Sequence, residues 1–132
     1  MGGNFSYDEK GEFYHTTKIY GYIKKQACPY SYKFLLGLLN SQLFWFFIQQ
    51  TGYVLRGGYC TFKTNYILPF PLPCYDMVEK SSIALIENKV EKILLMKKKS
   101  KDTDIHEEKF IINQEVYKIY NLSEKEVLIV ED

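Results

Sequence analysis

The residues of this chain that could do chemistry are few, and most are spaced wrongly for catalysis. His15 and His106 lie in different halves, with no second ligand at metal-binding spacing. Cys28, Cys60 and Cys74 form no C-x-x-C pair, and an odd count argues against a disulfide framework. A Cys60–His15 pair would lack the third group that orients a nucleophile's base. Glu87 and Glu91 stand one helical turn apart and could form an acid–base pair, but lysines surround them and no pocket is implied, so a solvated helix surface is the better reading. Neither glycine-rich phosphate cradle, G-x-x-x-x-G-K-[ST] or G-x-G-x-x-G, occurs, and no G-x-S-x-G elbow does.

Binding features are stronger. Arg56 is the only arginine among 17 basic residues, and it precedes Gly57 and Gly58. Arginine reads guanine bidentately and also clamps phosphate, while adjacent glycines let a backbone come close to a ligand. Tyr59, Lys63 and Asn65 follow and could add stacking, phosphate or base-edge contacts. Lys24 and Lys25 add charge upstream. No Asp or Glu occurs from Phe13 to Tyr75, a stretch that holds six basic residues. Net charge is +1 overall, but residues 1–74 carry +4 and residues 75–132 carry −3. Exclusion of acid from a surface that approaches phosphates makes this tract a candidate electrostatic footprint for DNA.

These residues need elements to position them. With 46% hydrophobic and 25% charged residues over 132 positions, the composition is that of one globular domain or a small domain with an appendage. Aromatics reach 17%, twelve of them tyrosine, whose ring can stack while its hydroxyl still bonds. Met1 to Asn4 reads as a glycine-rich lead with no signal-peptide pattern, which leads us to expect a cytoplasmic protein. The apolar runs Phe34–Leu39 and Leu43–Ile48 are too short and interrupted to span a membrane.

Dense Tyr, Ile, Thr and Phe predict strands over Glu12–Thr16 and Lys18–Lys24. Ser31 predicts an N-cap for one helix from about Tyr32 to Gln50, apolar almost all round and therefore a core helix that also buries Trp45. Gly57-Gly58 between two β-prone runs predicts a hairpin. Pro69, Pro71 and Pro73 keep Asn65–Pro73 extended. Val78–Lys99 carries a narrow seam of Ile83, Ile86, Val90 and Ile93, and a second helix is predicted from Asp104 to Tyr120. Asn121 suits a C-cap, and Ser123 with Glu126 opens a short last helix. The expected fold class is α+β: a small antiparallel sheet packed on a buried core helix, then a C-terminal antiparallel helical hairpin and a short last helix. The expected division is a DNA target-recognition subdomain over residues 5–75 and a helical spacer or docking region over residues 76–132.

The order of three motifs resembles a known family. Leu35-Leu36-Gly37-Leu38-Leu39-Asn40-Ser41-Gln42-Leu43 is similar to the "LLGLLNS-x-L" helix of the TaqI-like C-terminal specificity domain. Tyr53 to Tyr59, then Phe62-Lys63, then Tyr66 to Pro73 resembles the family segment ending in "L-P-I-P", with Leu72 in the aliphatic slot. Glu115 to Glu126 resembles the closing "V-Y-x-L-Y-G-L-[ST]-x-x-E", with Asn121 in place of glycine. The resemblance implies recognition of a double-stranded DNA target within an adenine-specific methyltransferase or a fused type II restriction–modification enzyme. It implies that methyl transfer lies upstream, in a domain with an Asn-Pro-Pro-Tyr motif that this sequence lacks. S-adenosylmethionine is then expected in the parent's catalytic domain, with no cofactor in this chain. The expected partners are DNA and the parent methyltransferase domain or a second subunit, with no membrane. The alternative is a helical protein–protein interaction or dimerisation module that pairs through the isoleucine/valine seam.

Overall fold

A computed structural model describes residues 5–14 and 19–132. The described residues form six α-helices: α1 (Tyr32–Leu39), α2 (Gln42–Thr51), α3 (Thr64–Ile67), α4 (Lys80–Lys99), α5 (His106–Ile119) and α6 (Glu124–Glu131). A 3₁₀ turn over Tyr75–Met77 leads into α4.

The expected α+β fold is wrong. Among the described residues there is no strand, only one isolated antiparallel bridge between Val54 and Cys60. Residues 12–14 and 19–24, where strands were predicted, are irregular, and Phe13, Tyr14, Ile19 and Ile23 are exposed. The rest of those two predicted strands, with His15 and Lys18, lies outside the described residues, as does the Met1–Asn4 lead. Strand propensity measures how well a side chain fits a pleated, half-buried surface. These residues have the propensity but no second ladder to fit against.

The single helix predicted from Tyr32 to Gln50 is also two helices. Ser41 leaves the helical region (φ −72°, ψ 157°) and caps α2, its hydroxyl accepting from Phe44 N at 3.2 Å and donating to Leu38 O at 2.6 Å. Asn40 beside it clamps the incoming chain: Phe5 N donates to Asn40 Oδ1 at 3.0 Å, and Asn40 Nδ2 donates to Phe5 O at 3.1 Å. Short polar side chains that bond the backbone compete with helix continuation, and here two adjacent ones win. A third correction falls within the proline-rich segment. Thr64–Ile67 turns helically before the chain straightens.

The helical half follows its pattern. α4 and α5 pack as an antiparallel hairpin around the turn at 100–103. Asn121 takes φ 55°, and Ser123 and Glu126 close a reciprocal capping box. α4 also lies against α1, close enough that a Cβ on Gly37 would meet Ile86 Cγ2 at 2.8 Å and Val90 Cγ2 at 3.0 Å. Phe34 and Leu38 of α1, Phe44 and Ile48 of α2, Ile86 and Val90 of α4, and Ile112 and Val116 of α5 therefore bury into one core. The core runs across the expected division at residue 75. The isoleucine/valine seam is spent inside this core, so it is not a free surface for another chain. Ile83, Ile86 and Val90 are buried, and Ile93 is half-buried. No helix among the described residues is long and apolar enough to cross a membrane.

Polar contacts fix the layers. Ser31 donates to Glu87 at 3.0 Å and Lys33 pairs with Glu91, so the two carboxylates considered as an acid–base pair each hold α1 against α4. The buried Glu108 of α5 pairs with Lys92 of α4, whose ammonium holds the Glu108 carboxyl below the usual carboxylate range.

Candidate nucleic-acid interface

Residues 53–61 rise from this support as a narrow ribbon. Leu55 N donates to Tyr59 O, Thr61 N donates to Tyr53 O at 3.3 Å, and Gly58 N closes the turn on Leu55 O at 3.1 Å. Gly57 and Gly58 sit at φ 94° and 82°, in the region that L side chains rarely enter. The turn therefore requires glycine at both positions, and it leaves Arg56 exposed at the tip. The Gly-Gly hairpin expected from sequence is present, although it is one bridge wide rather than part of a sheet.

The ribbon is rooted by aromatic packing. Phe62 meets Phe5 edge-on with ring centres 5.3 Å apart and stacks on Trp45 at 6.4 Å. Phe5 in turn meets Phe44 at 5.7 Å. Trp45 is half-buried and serves as this root rather than as a free stacking platform. Beyond the ribbon, Lys63 keeps an extended backbone before α3, and Asn65 lies in the α3 turn; both are exposed. Phe70 buries against Phe44 and Phe47. Two tyrosines tie down the segment after it: Tyr120 Oη donates to Pro71 O and Tyr30 Oη to Pro73 O, each at 2.7 Å. Burial raises the pKa of both hydroxyls, which keeps them protonated and able to donate.

The sequence-predicted residues divide into groups. Arg56, Gly57, Gly58 and Tyr59 share the ribbon tip, and Lys63 and Asn65 continue from its foot. Tyr22 Oη donates to Phe62 O, which draws the stretch before Lys24 and Lys25 towards the ribbon's root. Lys25 is exposed on a turn closed by Cys28 N on Lys25 O at 2.9 Å. Lys24 is engaged locally: its ammonium donates to Tyr30 O at 3.0 Å and lies 5.5 Å from the centre of the Tyr32 ring. Among the described residues no ion pair reaches Arg56, Lys25 or Lys63. From sequence, Tyr53, Tyr59 and Tyr66 could stack or simply pack, and Tyr53 and Tyr59 are exposed; sequence reasoning missed Val54 and Leu55, which are exposed beside them. Residue type alone carries no signal of that exposure, which comes from the register of Tyr53 and Leu55 across from Thr61 and Tyr59.

Other chemistry finds no geometry here. Among the described residues no group of three or more His, Cys, Asp or Glu side chains is placed to hold a metal ion. His106 opens α5 as an exposed residue whose backbone N donates to Asp104 Oδ1 at 2.9 Å. The three cysteines are unpaired.

A family model described as the TaqI-like C-terminal specificity domain matches residues 3–72. That span takes in the ribbon and all eight residues singled out above, and it ends before the closing motif at Glu115–Glu126. No curated protein and no solved structure matches the chain.

Proposed function

The chain belongs to the TaqI-like C-terminal specificity domain family, and from that premise we propose that it recognises a double-stranded DNA target for a larger restriction–modification enzyme and does no chemistry alone. The observation that carries this reading is the exposed, glycine-tipped ribbon bearing Arg56, set in a tract without a single acid from Phe13 to Tyr75. An exposed arginine on a thin projection can enter the major groove and pair bidentately with guanine. Arg56, Gly57, Gly58 and Tyr59 would meet base edges, and Lys63, Asn65 and Lys25 would meet the backbone, with Lys24 steadying the start of α1. Residues 5–75 form the recognition subdomain in this reading, and residues 76–132 support it and dock it on the parent methyltransferase domain or a second subunit.

The parent is an adenine-specific DNA methyltransferase or a fused type II endonuclease in this account. Its catalytic domain would carry the Asn-Pro-Pro-Tyr motif that this sequence lacks and would bind S-adenosylmethionine. Three unpaired thiols accord with the reducing cytoplasm. Fluorescence anisotropy against a labelled duplex, repeated over a salt series, tests the proposal. Affinity should fall linearly with salt on a log–log plot, as counterion release requires. No binding to any duplex at low salt would refute it.

A further inference from the structure

We infer that the ribbon reads thymine methyl groups in the major groove through an apolar face, in addition to whatever Arg56 reads; this rests on the DNA-recognition function proposed above. The antiparallel bridge between Val54 and Cys60 sets Leu55 opposite Tyr59 and Tyr53 opposite Thr61. Side chains alternate across a strand, so Tyr53, Leu55 and Tyr59 share one face. They are 59%, 46% and 63% exposed. Three large apolar side chains clustered in water on so small a projection mark a contact surface.

Shape and charge together say what covers it. A two-stranded ribbon is one of the two elements that a B-form major groove admits, and the segments 53–55 and 59–61, joined by one bridge, are no wider than that. Arg56 follows Leu55 directly, and no acid lies anywhere from Phe13 to Tyr75 to oppose approach to phosphates. That exclusion of acids favours an anionic partner, which the DNA backbone is along its whole length. Within the major groove, the apolar group offered by a base edge is the 5-methyl of thymine. Leu55, beside Arg56 at the tip, reaches deepest in this arrangement, with Tyr53 and Tyr59 flanking it. The paired glycines at positive φ allow the tip to enter without a Cβ on the turn.

The experiment selects a site from a randomised duplex pool with the full chain, then measures affinity for that site with thymine and with uracil in its place. Uracil differs only by the missing methyl. The intact chain should bind the uracil duplex about fourfold more weakly per methyl covered. Leu55→Ser should lose most of that discrimination while keeping the wild-type melting midpoint. Equal affinity for the thymine and uracil duplexes, or a selected site without thymine, would overturn the inference and leave DNA recognition standing. Equal affinity together with a concentration-dependent dimer that Leu55→Ser dissolves would assign the face to a second copy of the chain. Failure of the pool to enrich would overturn the DNA reading and this inference with it.

Discussion

The α4–α5 hairpin and the 53–61 ribbon handle the same residue types in opposite ways. On the hairpin, the seam residues Ile86, Val90, Ile112 and Val116 are buried, with Leu95 and Phe110 left exposed on its outer side, and charges are paired at Lys92–Glu108, Lys33–Glu91 and Lys118–Glu79. On the ribbon, Tyr53, Leu55 and Tyr59 face water, and Arg56 has no acidic partner among the described residues. A region that satisfies its own side chains is built for stability, whereas one that leaves them unsatisfied is built for something it has yet to meet. The contrast teaches that the ribbon pairs none of its charge among the described residues, whereas the hairpin pairs part of its own and buries its seam.

The contrast can be broken or sharpened by mutation. Phe44→Ala should have the largest effect: the ring is fully buried among Phe5, Phe47 and Phe70. We expect a loss of about 3–5 kcal/mol in denaturant unfolding. Gly37→Leu comes next. Its Cβ alone would collide with Ile86 and Val90, and prying α1 from α4 should cost about 2–3 kcal/mol, read in the same titration.

A smaller effect, confined to acid, tests charge pairing on the hairpin. Glu108 has a lowered pKa because Lys92 bonds its carboxylate. Its stabilisation is present above the unfolded-state pKa near 4.5 and is lost as pH falls through the lower folded value. Glu108→Gln should therefore flatten the acid side of the stability–pH curve. An unchanged acid limb would show that the pair contributes nothing.

How much of this was legible in the sequence follows the same divide. The helical half could be read because 3.6-residue periodicity and cap residues are local signals: Ser123, Glu126 and Asn121 each do what their types predict. The break at Asn40–Ser41 was less visible. Ser41 caps α2 locally, but the bonds between Asn40 and Phe5, 35 residues away, are not visible in the local pattern. The sheet was misread because Tyr, Ile and Thr signal strand only where a partner strand exists, and pairing is not local. The Arg56 turn was readable from Gly57-Gly58 alone. The apolar face beside it was not, because exposure is a property of the fold and cannot be read from residue type.

The central claim is that the ribbon, and not the helical hairpin, carries DNA recognition. The most direct test compares Arg56→Ala with Lys99→Ala, an exposed lysine at the end of α4, on one duplex at one salt concentration. Both variants should unfold within about 0.5 kcal/mol of the parent, as exposed substitutions usually do. Arg56→Ala should weaken binding by about 1–3 kcal/mol, the worth of a bidentate base contact, and Lys99→Ala should leave it nearly unchanged. Equal losses from the two variants, or a larger loss from Lys99→Ala, would contradict the account.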